Sequence, residues 1–93
     1  MAERQRFCPE PSATAFPMAD GSAALVDGST GRLHALNADA TEIWEARRCW
    51  SEAELRAWLT QRGYDDETAA SSAHVFLMSL VATGLMVPER TDD

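Results

Sequence analysis

Seven consecutive residues, Gly31-Arg32-Leu33-His34-Ala35-Leu36-Asn37, most constrain what this chain can become. A turn glycine opens the run, strand-like residues follow, and an asparagine able to cap a helix closes it. The chain must leave a sheet and enter a helix almost at once. A small platform results, with an exposed sheet edge beside a helix.

The residues before this junction read as more of the same sheet. Ala15-Phe16-Pro17-Met18 suits a short edge strand, in which Pro17, lacking an amide hydrogen, has to face away from the ladder. Asp20-Gly21 signals a turn, Ala23 to Val26 a second strand, Asp27-Gly28-Ser29-Thr30-Gly31 a hairpin-length turn, and Arg32 to Leu36 a third strand. Residues 14–36 therefore predict a three-stranded antiparallel meander whose outer strands have free edges. Residues 1–13, with Pro9, Pro11, several charges and no period, read as a flexible N-terminal tail. Residues 89–93 read as a flexible C-terminal tail, leaving 14–88 as the domain.

Three helices follow the strands. Asn37 caps the first, Ala38 to Arg48, with Asp39 favouring the positive end of its dipole and Arg47 and Arg48 at its C-terminal end. Its apolar stripe is Leu36, Ala40, Ile43 and Trp44. Ser51-Glu52-Ala53-Glu54 is a capping box opening a helix that buries Leu55, Trp58 and Leu59 and ends at Gly63. Asp65 or Asp66 caps a third helix reaching about Thr83, with Gly84 as its stop. Leu85-Met86-Val87 is then a short extended tail closed by Pro88. Strands followed by helices over short connections make an α+β domain.

The third helix has two apolar stripes where a surface helix needs one. On a wheel centred on Ala73, Phe76, Leu77, Leu80 and Gly84 fall within about 60°, while Ser71, Val75, Met78 and Ala82 lie at roughly 140–200°. Two accounts fit: a central helix with both faces internal, or a second stripe lining a groove for a partner's apolar side chains. Burying Val75 and Met78 against such a partner would contribute on the order of 2–4 kcal/mol. The flexible thioether of methionine also adapts to different partners. An extended peptide could then add to the third strand as a fourth, dropping alternate side chains against Val75 and Met78.

Composition narrows the function classes. The 93 residues make one domain, and an apolar fraction of 45% supports a modest core. Fifteen acidic residues against 8 basic ones give a net charge of −7, which disfavours nucleic acid and anionic membranes alike. The longest apolar runs, such as Val75 to Met78, are far too short to span a bilayer. Met1-Ala2-Glu3-Arg4-Gln5-Arg6 has no apolar stretch behind its charges and does not read as a secretory signal. Cys8 and Cys49 could pair, but without an export signal they are expected as reduced thiols in a cytoplasm. Neither His34 nor His74 has a ligand at a recognised metal spacing, and no nucleophile motif, phosphate loop or dinucleotide fingerprint occurs. The expectation is a non-enzyme without metal or cofactor.

The ordered pattern Leu25-Val26-Asp27 … Thr30-Gly31-Arg32-x-His34-x-Leu36-Asn37-x-x-Ala40-x-x-Ile43-Trp44, then the capped second helix, then Phe76-Leu77-x-x-Leu80-x-x-x-Gly84-Leu85, resembles the PqqD-like proteins. These are the peptide-recognition elements of pathways that modify ribosomally made peptides. The resemblance covers about residues 14–88. It implies a winged-helix-like fold, a three-stranded antiparallel sheet followed by three helices, and no catalysis. It further implies capture of a precursor's leader peptide, as an added strand between the third strand and third helix. Carried over by position, the contact residues are Arg32, Leu33, His34 and Ala35 on the strand, and Ser71, His74, Val75, Met78 and Ala82 on the helix. The stretch from Asp27 to Asn37, with Trp44, is most similar to the discrete recognition proteins of lasso-peptide clusters, which work beside a leader peptidase and a cyclase. Pyrroloquinoline-quinone and radical-enzyme peptide pathways are the rivals within the family. Two places depart from the family: Ser72 stands where many relatives carry an acidic residue, and Arg47-Arg48-Cys49-Trp50 lacks a usual glycine.

Two readings from other classes compete. A winged-helix regulator would read DNA, but residues 67–84 contain no Lys or Arg to meet phosphates. A non-catalytic subunit would use the second stripe of the helix to dimerise.

Overall fold

The computed structural model describes residues 5–89. In chain order the elements are β1 (Arg6–Pro9), β2 (Ala13–Pro17), β3 (Ala23–Asp27), β4 (Leu33–Leu36), α1 (Ala38–Glu45), β5 (Trp50–Ser51), α2 (Glu52–Gln61), α3 (Asp66–Ala82) and β6 (Met86–Pro88). The strands form two three-stranded antiparallel sheets, β2-β3-β4 and β5-β1-β6. With the three helices this is an α+β fold, as the order of signals in the sequence predicts.

The expected meander is the β2-β3-β4 sheet. In its register Thr14 stands opposite Val26 and Val26 opposite Leu33; Phe16 stands opposite Ala24 and Ala24 opposite Ala35. The β3–β4 turn sets the phase. The Asp27 N–H donates to the Arg32 carbonyl at 3.0 Å and the Gly31 N–H to the Asp27 carbonyl at 2.7 Å. Gly31 sits at φ 76°, a left-handed conformation that glycine adopts without a Cβ clash. Ladder bonds in an antiparallel pair recur at every second residue. His34 and Leu36 therefore bond to β3, while the main-chain groups of Leu33 and Ala35 point outward. On the other side, the Gly28 N–H bonds to Ser12 O at 3.1 Å and the Met18 N–H to Ser22 O at 2.8 Å. Thr14 and Phe16 thus bond to β3, and Ala13, Ala15 and Pro17 face outward. Pro17 is where its missing amide hydrogen requires it to be.

The second sheet corrects the sequence reading. Residues 6–9, expected as part of a loose tail, form its central strand. Phe7 pairs with Trp50 on one side and with Pro88 on the other. The three segments are only 4, 2 and 3 residues long and show no alternation, so only partners distant in sequence make them strands. The same register brings Cys8 beside Cys49, and the two form a disulfide with their Cα atoms 4.1 Å apart. The expectation of two reduced thiols is overturned, because a supposedly free tail is a paired strand. Residues 1–4 and 90–93, the ends of the two expected tails, lie outside the described residues.

The helix caps follow the sequence closely. Asn37 Oδ1 accepts from the Ala40 N–H at 2.8 Å, and Asp65, the first of the two candidates, accepts from the Thr68 N–H at 2.7 Å. The capping box is complete: the Glu54 N–H donates to Ser51 Oγ at 3.0 Å, and the Ser51 N–H to Glu54 Oε1 at 2.9 Å. Glu54 also accepts from Arg6 of β1 at 3.1 and 3.2 Å, which ties the second sheet to α2. The Ser51 amide and then Arg6 and Arg48 hold its carboxyl below the usual carboxylate range. α1 stops three residues before the expected Arg48. Arg47 adopts φ 55°, and Arg48 stacks 4.1 Å from the Trp50 ring centroid instead of serving the helix end.

The core lies between the inner face of β2-β3-β4 and the helices. Leu25 and Leu36 of the sheet meet Ile43 and Trp44 of α1, Leu55 and Leu59 of α2, and Ala69, Ala73, Leu77 and Leu80 of α3. Leu85 and Met86 close the far end. Arg62 pairs with Glu42, and the Tyr64 hydroxyl donates to Asp39, so the α2–α3 turn is pinned to α1. No described helix is long and apolar enough to cross a membrane.

Candidate functional site: a free strand edge beside a two-faced helix

β4 is the end strand of its sheet: it pairs with β3 and, among the described residues, with no strand on its other side. Its outward amides and carbonyls are those of Leu33 and Ala35. Beside that edge runs a cleft of about 360 Å³ between β4 and α3. His34, Ala35, Leu36, Asn37 and Ala40 form one wall; Ser71, Ser72, Val75, Phe76 and Ser79 form the other. Val75 is 58% exposed, while Phe76 packs against the core. No Lys, Arg, Asp or Glu lines the cleft, so apolar contact and neutral hydrogen bonding govern what it holds.

Helix geometry explains which residues of α3 reach this wall. At about 100° per residue, Ser71 and Ser79 lie within about 40° of Val75, and Ser72 and Phe76 turn about 60–100° to one side. Met78 and His74 turn about 60–100° to the other side. The structure accordingly brings His34, Ala35, Ser71 and Val75 together, with exposed Leu33 on the same edge. His74 and Met78 are not part of this cleft, which corrects the expectation of a single groove. His74 Nδ1 lies 3.2 Å from Glu52 Oε1 on α2. Met78, 39% exposed, lines a larger cleft of about 740 Å³ with Phe7, Ala53, Arg56 and Ala70. Arg32 is exposed in the turn before β4, and exposed Ala82 lies beyond the lining residues. The sequence reading had not singled out Asn37, Ala40, Ser72, Phe76 and Ser79 as wall residues. The i, i+4 row Ser71–Val75–Ser79 was the available signal.

Size does not decide between these clefts, because extended chain also needs main-chain partners. The larger cleft borders β1, which is central in its sheet and has both edges occupied. A third cleft, about 390 Å³, lies at the outer edge of β2 beside Trp44 and Arg47. There the Ala13 N–H is spent on Glu10 O at 3.0 Å and Pro17 has none, so Ala15 alone offers a complete pair. β4 offers two, Leu33 and Ala35. It is the edge best equipped to take another strand.

Comparison with family models and with curated proteins gives no match. Among solved structures the chain is similar to TbiB1 in complex with the TbiA(beta) leader peptide, at a TM-score of 0.67 and 21% identity. The similarity covers 92% of this chain and 99% of that one, so the two share the fold over essentially their whole length.

Proposed function

We propose that this protein is a non-catalytic recognition element that binds the leader peptide of a ribosomally made precursor and presents it to a modifying enzyme. The observation carrying this reading is the free β4 edge, with the outward groups of Leu33 and Ala35 beside the exposed Val75 of α3. The peptide adds to β4 as a fourth strand, so main-chain bonds supply affinity with little demand on sequence. Its alternate side chains rest on Val75 and Phe76, which supplies selectivity. The shared fold supports this reading, since the TbiB1 structure is a complex with the TbiA(beta) leader peptide. Holding the precursor raises its effective concentration at the enzyme. A leader peptidase and a cyclase of the lasso type are the favoured partners, in keeping with the PqqD-like resemblance. The cytoplasm, where such precursors are made, is the favoured location. The Cys8–Cys49 disulfide weighs against that placement, because cytosolic disulfides are uncommon.

The test is Val75→Glu, titrated against a synthetic precursor leader peptide that the wild-type chain binds. Val75 is 58% exposed, so circular dichroism and melting temperature stay at wild-type values. Binding weakens at least about tenfold, through lost apolar burial and a carboxylate facing the peptide. An unchanged affinity would remove α3 from the site.

A further inference from the structure

The β2-β3-β4 sheet has a second surface that leader capture leaves unused. Ala13, Ala15, Ala23, Leu25, His34 and Leu36 alternate toward the helices, so the opposite face is made by two rows. One row is Thr14–Val26–Leu33, the other Phe16–Ala24–Ala35. All six side chains are uncharged, in a chain whose composition is 25% charged. The outer face of an antiparallel sheet is ordinarily polar. Here Phe16 is 54% and Leu33 72% exposed, and Val26 and Ala24 lie between them. Ala24 and Val26 are half-buried, and the larger Phe16 and Leu33 stand open to solvent on either side of them.

We propose that this outer sheet face is the surface on which the peptide-modifying enzyme docks; the proposal rests on the leader-binding reading above. Area and charge select that occupant over a second copy. Six side chains of this kind expose on the order of 300–500 Å², whereas a stable interface takes about 800 Å² from each partner. A second copy would also bring a net charge of −7 against −7. The missing area comes from the guest. A peptide strand added at β4 widens the same face, because its outward side chains continue the rows that end at Leu33 and Ala35. A protein with an uncharged apolar centre therefore meets a full-sized surface only once the peptide is in place. The enzyme that has to reach that peptide gains by docking there, and it binds the loaded recognition protein in preference to the empty one.

The experiment uses the full chain carrying Phe16→Lys and Val26→Thr, with Gln61→Lys on α2 as a control for added charge. A fluorescent synthetic precursor leader peptide that the wild-type chain binds reports peptide affinity. Thermophoresis against the purified enzyme that modifies the same precursor reports docking, with and without leader. Supporting results are a leader affinity within about twofold of wild type, which also shows that the fold is intact, and docking of the loaded variant at least tenfold weaker. The control docks as wild type does. Unchanged docking with intact leader binding overturns this proposal alone. Wild-type dimers that the variant dissolves, seen by sedimentation, overturn it in favour of a second copy. A wild-type chain that binds no leader overturns the reading beneath it, and this proposal with it.

Discussion

Trp44 shows how differently one residue can be constrained in packing and in polarity. It is 2% exposed, and its indole Nε1 has no hydrogen-bond partner among the described residues. Its contribution is therefore volume, with a polar cost attached. Trp44→Ala is expected to lower stability by about 3–5 kcal/mol. Trp44→Phe, which removes the unpaired donor along with part of the ring, is expected to cost less than about 1.5 kcal/mol. Urea midpoints for the two variants check the difference. The stripe Leu36, Ala40, Ile43, Trp44 made this burial legible, since a regular helical period identifies the inward face without any tertiary information. Arg47 was not legible. Its φ of 55° ends α1 early, and a sequence of good helix formers gives no warning of it.

Among elements, β4 and α3 carry the argument, and one substitution separates backbone from side-chain recognition. The Ala35 amide points away from β3, so Ala35→Pro removes an outward donor without breaking a bond inside the sheet. His34 before it is already extended, as a residue preceding proline prefers. The fold is expected to persist, and leader affinity to fall about fivefold, for one main-chain bond of about 1 kcal/mol. Titration of Ala35→Pro beside Ala35→Thr measures this; equal affinities would mean that the peptide does not pair with β4. The helical wheel foresaw the two faces of α3, and Val75 is exposed opposite buried Ala73. The wheel did not foresee that the second stripe divides, with Val75 toward β4 and Met78 toward α2 and β1. A stripe spanning about 60° meets one neighbour or two depending on where those neighbours pack, and that is not local information.

At the scale of the whole molecule, the Cys8–Cys49 disulfide closes a ring over a sequence separation of 41, enclosing the β2-β3-β4 sheet and α1. Loop-closure entropy for a ring of this size is worth about 4 kcal/mol. Reduction, or the Cys8→Ser and Cys49→Ser pair, is expected to lower unfolding free energy by about that amount, read from urea denaturation with and without a reducing agent. The linkage holds the second sheet against the α1–α2 connection. It leaves the β4 edge, which lies inside the ring, free to pair.

By itself the sequence determined what depends on neighbours a few residues away: the β3–β4 turn at Gly31, the caps at Asn37, Ser51 and Asp65, the helix stop at Gly84, and the inward stripes of the three helices. Only the tertiary structure decided that residues 6–9 become a strand, that Cys8 meets Cys49, and that Val75 and Met78 face different clefts. Turns and caps are set by bonds spanning two to four residues. A sheet made of 4-, 2- and 3-residue pieces gains its stability only when segments some forty residues apart come together, and no local pattern records that meeting.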